Sequence, residues 1–373
     1  MACVSDRRRR RSSRPSPPGS FFSGSLVFLG VSFGAAFAAV AFAAMEMVPA
    51  ASASGAGGEV NVYSARQEVL IKPLLDRFTA RTGIRVNLVA GTADALVQRL
   101  RTEGANSPAD ILLTVDAGNL NRAKEMELFQ PIRSEELEKA VPAAYRDPHG
   151  HWFGLSMRAR PILYARDRVD PAALATYRDL ADPRWRGKVC VRSSSNVYNQ
   201  SMVAAMIAER GVPATEAWAR GLVANFARPP QGGDRDQIKA LAAGQCDVAL
   251  VNTYYLGGML HAAGAGEREA AARVAILWPD QKERGVHVNV SGAGVTRHAG
   301  NRDNAVLLLE FLVGEEAQRL YAEGNFEYPV RPGTPVSDTL AGWGTFKADD
   351  LNLAVLGEHN AEAVRLMDRA GWR

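Results

Sequence analysis

The sequence predicts an α/β protein with mostly parallel sheets, organised as two domains. Near the amino terminus, strand-like apolar runs alternate with helical runs, which is typical of βαβ units and a parallel sheet. Residues 54–373, which follow a predicted leader, form a chain long enough for two domains with a large buried core.

The first 53 residues are predicted to be a signal peptide. Arginines at 7–11 and 14 form a basic segment, an uncharged and mostly apolar stretch covers 25–44, and Ala51-Ser52-Ala53 offers a cleavage site. The residues after the arginines do not fit a twin-arginine signal, so export by the Sec route is expected. An uncleaved membrane anchor is the alternative, because the apolar stretch is long enough to span a bilayer.

The charge balance argues against a general nucleic-acid-binding surface. The chain has 44 basic and 40 acidic side chains, a formal net charge of +4. The leader carries six arginines against Asp6 and Glu46, so it accounts for the whole excess. The rest of the chain is balanced and has no overall basic field to attract a polyanion.

Three strand–helix pairs are predicted from apolar periodicity. They are strands 60–63, 84–89 and 110–114, followed by helices 69–82, 93–103 and 117–127 respectively. Ser64 is predicted to cap the first helix, and Arg66 adds a planar donor beside the free N–H groups of that helix end. A second strand–helix junction of this kind contains Ser195 and Asn196. Ordinary helix capping is the alternative for both junctions. Two such junctions near the three tyrosines described next favour an anion site.

Three tyrosines follow two short apolar runs that are predicted to be strands of one sheet. The run 188–191 precedes Tyr198, and the run 246–251 precedes Tyr254 and Tyr255. Ligands bind beyond the carboxyl ends of strands in open α/β sheets, so the three phenols are expected at one rim. Three phenolates would form a hard, anionic oxygen site for a small, highly charged cation. The alternative is ordinary packing with the hydroxyls at the surface.

The two cysteines outside the leader, Cys190 and Cys246, permit one disulfide in an exported protein. Two buried free thiols are the alternative, because the distance between two cysteines cannot be read from sequence. Neither cysteine is expected to bind a hard metal ion, since thiolates prefer softer metals.

Four segments resemble the periplasmic ferric-iron-binding proteins, which are substrate-binding components of bacterial iron(III) ABC transporters. The segments are VNVYSARQ at 60–67, PADI at 108–111, SSSNVYNQ at 193–200 and NTYY at 252–255. The resemblance runs from about Val60 to the carboxyl terminus, and it implies a bilobal periplasmic binding protein fold of the type II-like kind. In that fold two α/β lobes are joined by two crossover strands and close on the ligand like a hinged clamp. The expected lobes are 58–157 plus 282–332 and 158–281 plus 333–373, with crossovers near 157–163 and 287–290.

The resemblance implies that Tyr198, Tyr254 and Tyr255 bind iron as phenolates. In one branch of the family a His-Tyr pair follows the first strand, whereas those positions here are Gln67 and Glu68. The sequence is therefore closer to the branch that uses three tyrosines and a synergistic carbonate or bicarbonate.

The expected anion-binding residues surround that carbonate. They are Arg66, Gln67, Ser195, Asn196 and Arg158, with Arg160 as the alternative to Arg158. Glu68 is a candidate for an extra iron ligand, although an acidic residue is also favoured in the first turn of a helix for electrostatic reasons.

The resemblance implies a binding protein rather than an enzyme. It would capture Fe(III) in the periplasm as a monomer and deliver it to an inner-membrane ABC permease and its ATPase. No nucleic-acid partner is expected, and no stable membrane insertion once the leader is removed. Binding of another small solute, an oxyanion or a polyamine, is the alternative on the same fold. An enzyme on this fold and an anchored sensor are further alternatives, and the absence of an obvious nucleophile or general base counts against the enzyme.

Overall fold

The computed structural model describes residues 57–373, and the predicted leader at 1–53 lies outside the described residues. The strands are β1 (Glu59–Ser64), β2 (Arg85–Ala90), β3 (Ile111–Thr114), β4 (Phe153–Ala159), β5 (Ile162–Ala165), β6 (Val189–Cys190), β7 (Val248–Leu250), β8 (Val274–Leu277) and β9 (Val288–Val295). The helices are α1 (Glu68–Thr82), α2 (Ala93–Glu103), α3 (Ala117–Glu125), α4 (Glu135–Ala140), α5 (Val197–Ala224), α6 (Asp234–Ala242), α7 (Thr253–Leu260), α8 (Ala265–Ala272), α9 (Arg302–Val313), α10 (Glu315–Asn325), α11 (Asp338–Ala341), α12 (Val355–Glu358) and α13 (Asn360–Ala370). Short 3-10 helices lie at Gly104–Asn106, Ala143–Tyr145, Pro171–Ala173, Tyr177–Ala181 and Pro183–Trp185.

The three predicted strand–helix pairs are confirmed as β1–α1, β2–α2 and β3–α3. The helical periodicity of α1 produces a buried face of Ile71, Leu74, Leu75 and Phe78. The prediction that Ser64 caps α1 is wrong. Ser64 still belongs to β1, and its hydroxyl accepts a hydrogen bond from the Arg66 N–H at 3.1 Å, while Gln67 occupies the N-cap position. The strand outlasts the predicted boundary because Ser64 pairs with Ala90 of β2.

A five-stranded sheet forms the core of the first lobe, in the order β2-β1-β3-β9-β4. Strand β1 pairs in parallel with β2 and β3, whereas β9 runs antiparallel to both β3 and β4. Every residue of β3, β4 and β9 is buried, because helices α3, α9 and α10 pack on these strands.

A four-stranded sheet forms the core of the second lobe, in the order β6-β7-β5-β8. Strands β6 and β7 are parallel, and β5 is antiparallel to β7 and β8. A disulfide links Cys190 at the end of β6 to Cys246 just before β7, with Cα atoms 5.9 Å apart. The disulfide alternative is therefore confirmed over two free thiols.

The prediction of mostly parallel sheets is wrong. Of the seven strand pairs in the described chain, three are parallel and four are antiparallel. The chain leaves the first sheet after β4 and returns to it after β8. Strands β5 and β9 therefore run antiparallel to neighbouring strands of their sheets. The local alternation of strands and helices in the sequence does not reveal the direction of these two strands.

Two crossovers join the lobes, one at 160–161 between β4 and β5 and one at 278–287 between β8 and β9. The buried Tyr177 ties them together. Its hydroxyl donates to the Arg160 carbonyl at 2.7 Å and accepts from the His287 N–H at 3.1 Å. This two-lobed α/β architecture confirms the predicted fold class.

The two sheets define the cores of the lobes, and the predicted residue limits of each lobe outside these strands stay a prediction. The strands of the first sheet lie within 59–159 and 288–295, and those of the second within 162–277. In the carboxyl-terminal segment, α13 packs on α5, whereas α12 contacts both α3 and α5. None of the helices described between residues 57 and 373 has the length and apolarity that crossing a membrane requires.

Candidate metal-binding site

The three predicted tyrosines come together in the first turns of two helices. Tyr198 is the second residue of α5, and Tyr254 and Tyr255 are the second and third residues of α7. These helices follow the parallel strands β6 and β7, so both begin at the same edge of the sheet. The Tyr254 hydroxyl donates to the Tyr198 hydroxyl at 3.1 Å, and the ring centroids of Tyr254 and Tyr255 are 4.3 Å apart.

A small pocket of about 100 Å³ lies between the lobes beside these tyrosines. It is lined by Ala65, Arg66, Gln67, Leu70, Val115, Arg158, Tyr198, Tyr254, Tyr255, Ser291 and Glu327. The structure therefore brings the three tyrosines together with Arg66, Gln67 and Arg158, as the sequence predicts. Ser291 and Glu327 are polar lining residues that sequence reasoning missed.

Arg160, the predicted alternative to Arg158, holds the tyrosine helices rather than lining the pocket. It is buried, and its guanidinium donates to Asn199 on α5 at 2.6 Å and to Asn252 at the N-cap of α7 at 2.9 Å. It also pairs with the buried carboxylate of Asp234 at 3.1 Å, and Arg192 donates to the same carboxylate at 2.6 Å. Arg160 thus fixes the relative position of the helix ends that present the phenols.

Arg158, the penultimate residue of β4, is the arginine that faces the phenols. Its guanidinium carbon lies 5.3 Å from the centroid of the Tyr198 ring, a cation–π distance. Behind it lies Asp116, with 3.6 Å between Arg158 Nη2 and Asp116 Oδ2. Burial raises the pKa of Asp116, but Ser201 and Asn289 each donate to its carboxylate at 2.8 Å and favour the charged form.

Arg66 is held by an acidic partner inside the pocket. Its Nη1 and Nη2 donate to the two Glu327 carboxylate oxygens at 3.1 and 2.5 Å, and Nη1 also donates to Ser291 Oγ at 2.8 Å. Its guanidinium carbon lies 5.4 Å from the centroid of the Tyr321 ring. Arg66 and Glu327 are both buried, so each charge has its partner where solvent cannot supply one.

The chain after α10 places Glu327 at this position. Phe326 caps the helix in the left-handed region, with a φ of 54°. Tyr328 then pairs with Met157 of β4 through two backbone hydrogen bonds of 2.8 Å. Gly257 of α7 permits the close approach of this segment, because a Cβ at that residue would lie 2.6 Å from Phe326 Cβ.

The remaining predicted residues lie away from the phenol pocket. Ser195 and Asn196 line a larger neighbouring cavity of about 790 Å³, together with Arg192. Glu68 is the exposed first residue of α1 and is outside the pocket lining. The sequence offers one signal for the missed Glu327: it stands between Phe326 and Tyr328, and a charge in an apolar setting needs a partner.

The surroundings of Tyr254 and Tyr255 favour the protonated form of their phenols. Burial, followed by the charges of Tyr198 and Tyr255, raises the pKa of Tyr254 well above its usual value. Burial and Tyr198 also raise the pKa of Tyr255. Within 57–373 no cluster of three or more His, Cys, Asp or Glu side chains is arranged to hold a metal ion. The phenols are therefore the donor set that suits a hard, highly charged cation.

Two α/β lobes that share a ligand pocket and are joined by two crossovers define a two-lobed solute-binding protein. Residues 106–350 match the family described as "Bacterial extracellular solute-binding protein", and the chain belongs to that family.

Several similar proteins have names that refer to iron. The chain is 49% identical over 325 residues to "Iron uptake protein A1" of Synechocystis sp., covering 87% of this chain and 90% of that protein. It is 30% identical over 336 residues to the "Fe(3+)-binding periplasmic protein" of Serratia marcescens, covering 89% and 96%. The solved structure of Trichodesmium FutA (IdiA) in complex with iron and citrate superposes with a TM-score of 0.82 at 48% identity, covering 85% of this chain and all of that one.

Proposed function

We propose that this protein captures ferric iron, Fe(3+), through Tyr198, Tyr254 and Tyr255 and delivers it to an inner-membrane ABC permease. The observation that carries the proposal is the contact between the Tyr254 and Tyr198 hydroxyls at 3.1 Å, with Tyr255 alongside, in a pocket sized for one ion and small ligands. The names of the similar proteins favour iron over the alternative of an oxyanion or a polyamine.

The donor chemistry fits Fe(III). A phenol in water has a pKa of about 10 and is protonated at neutral pH. A bound cation stabilises the deprotonated ligand, so iron uptake releases protons to solvent. Three phenolates balance the three positive charges of Fe(III), and their hard oxygen atoms match its preference. Acid reverses binding because it returns the protons to the phenolates.

The ligands that complete the coordination of Fe(III) beside the three phenolates are a separate question. The sequence predicts carbonate or bicarbonate at Arg66, Gln67, Arg158, Ser195 and Asn196, and this stays a prediction. The Trichodesmium structure contains citrate with iron, so that protein accommodates a larger organic anion. Glu68 as an extra iron ligand also stays a prediction.

The protein acts as the periplasmic component of an importer. Its family is extracellular and solute-binding, and the Serratia relative is named a periplasmic protein. Closure of the lobes on iron is the signal for the permease and its ATPase, since a ligand that binds the closed state better shifts the protein towards it. Export by a Sec signal peptide and a monomeric state are carried as predictions.

A visible absorption titration of the purified protein with Fe(III) tests the proposal. We expect a tyrosinate-to-iron charge-transfer band that saturates at one iron per chain. Tyr198→Phe should weaken iron binding strongly, whereas the matched control Tyr164→Phe, a substitution on β5 outside the pocket lining, should leave the band unchanged. Absence of a band, with binding of phosphate or a polyamine instead, would contradict the iron assignment.

A further inference from the structure

Arg66, the cation predicted to hold an external anion, already has an anionic partner in the protein. Its two terminal nitrogens donate to both carboxylate oxygens of Glu327, at 3.1 and 2.5 Å. Each of the two residues is only 4% exposed. The Glu327 carboxylate therefore occupies the planar edge of the guanidinium that is formed by Nη1 and Nη2, an edge of the kind that binds planar oxyanions such as bicarbonate.

This pair is fixed from both sides. Ser291 Oγ accepts from Arg66 at 2.8 Å, and the Tyr321 ring stacks against its guanidinium. On the other side, the two backbone hydrogen bonds between Tyr328 and Met157 anchor the residue next to Glu327 to β4. These backbone contacts hold the segment that carries Glu327 beside Arg66.

The charges of the pocket lining are already balanced without an added anion. Arg66 and Arg158 are the cations of this lining, and they face Glu327 and Asp116 respectively. Three phenolates balance Fe(III). A bicarbonate at Arg66 would be a second anion on a buried guanidinium whose charge Glu327 already balances, and it would lie beside that carboxylate, which is unfavourable in surroundings of low polarity.

Resting on the proposed iron function, we propose that Glu327 is a built-in counter-anion that replaces the external synergistic anion at Arg66. Glu327 is a positioning residue: it holds and neutralises Arg66 and leaves the iron to the phenolates. The other coordination positions are then filled by neutral ligands such as water. Iron binding by the wild-type protein therefore needs no bicarbonate.

The first test uses the wild-type protein in carbonate-free buffer, with iron added as ferrous chloride and oxidised by oxygen from which carbon dioxide has been removed. The charge-transfer band is titrated with and without bicarbonate, and the two apparent affinities should agree. A band that requires bicarbonate would overturn the role of Glu327 while the phenolate site stands. Absence of a band under both conditions would overturn the iron function itself, and this inference with it.

The second test restores the need for an anion by substitution. Glu327→Gln frees the charge of Arg66, and bicarbonate should then raise the apparent iron affinity by roughly 5- to 150-fold, the usual range for coupling between two ligands. Glu327→Asp keeps the charge and should remain independent of bicarbonate. The matched control is Glu316→Gln, which removes a carboxylate from an exposed ion pair with Arg77.

The result for Glu327→Gln decides the question. If that variant binds iron equally well with and without bicarbonate, Glu327 does not stand in for the anion. If circular dichroism shows that the variant does not fold, the double variant Arg66→Gln/Glu327→Gln removes both charges together. It should bind iron without bicarbonate, and a bicarbonate requirement there would overturn the proposal.

Discussion

Replacing Tyr254 by Phe should reduce by one the number of protons that the protein releases to solvent when it binds iron. Tyr254 is the phenol that donates to the Tyr198 hydroxyl, and burial first, then the neighbouring phenols, raises its pKa well above 10. At neutral pH it is protonated in the iron-free protein and must lose that proton to become a ligand. The Phe variant has neither the proton nor the ligand.

The magnitude follows from the raised pKa values. Ionising a phenol with a pKa of 10 or more costs at least about 4 kcal/mol at pH 7, at about 1.4 kcal/mol per pH unit. Since the iron-free protein holds the protons, apparent affinity rises with pH and falls in acid. Tyr254 and Tyr255 together should contribute about a 100-fold change in affinity per pH unit between pH 6 and pH 8, since each proton contributes a tenfold change. Tyr254→Phe should reduce the dependence by about tenfold per pH unit.

The assay counts protons directly. A weakly buffered sample at pH 7 receives iron, and a pH-stat records the base needed per iron bound. The Tyr254→Phe variant should release one proton fewer than the wild type, while Tyr164→Phe should match the wild type. Loss of the hydrogen bond to Tyr198 changes the free energy of unfolding by only about 1 kcal/mol, so the variant should fold. An unchanged proton count with an unchanged charge-transfer band would refute the assignment of Tyr254 as a phenolate ligand.

Three further predictions concern the support of the site. Tyr177→Phe leaves the His287 N–H without its partner, so we expect a loss of about 1–3 kcal/mol in unfolding free energy and faster hydrogen exchange at that amide; unchanged exchange would contradict the proposed tie between the crossovers. Replacing Cys190 and Cys246 by Ala opens a loop with a sequence separation of 56 residues, and denaturant titration should show a loss of about 4 kcal/mol, equal to that of the wild type after reduction. Gly257→Ala places a methyl group against Phe326 and should weaken iron binding measured by chelator competition, whereas the equivalent change at the open Gly266 should not.

The sequence predicted the parts of the fold that depend on local periodicity. Strand β1 and helix α1 follow from Val60, Val62, Leu74 and Phe78, whose spacing alone separates a buried face from an exposed one. The antiparallel placement of β9 could not be predicted, because it depends on the return of the chain from the other lobe. Sheet direction is a tertiary property, and adjacent residues carry little information about it.

The candidate site also has a part that could be predicted from the local sequence and a part that depends on the folded structure. The tyrosines were predicted because the three phenols stand in recognisable motifs after two apolar runs. Glu327 was missed because its partner Arg66 lies 261 positions earlier in the chain. Arg66 needs a carboxylate partner because it is buried. Its burial is a property of the folded structure, so the sequence alone does not connect it to Glu327. Arg158 and Arg160 are only two positions apart in the chain, but they have different neighbours in the structure. Arg158 lines the pocket, whereas Arg160 pairs with Asp234.

All three phenols belong to helices of the four-stranded lobe, whereas Arg66, Ser291 and Glu327 belong to the five-stranded one. In the proposed iron complex, the ion is therefore held by one lobe and only covered by the other. A permease that opens the covering lobe would expose an intact set of oxygen donors to water and protons, without first pulling that set apart. Release would then depend on access and acidity, and the emptied protein would keep its donor set for the next ion.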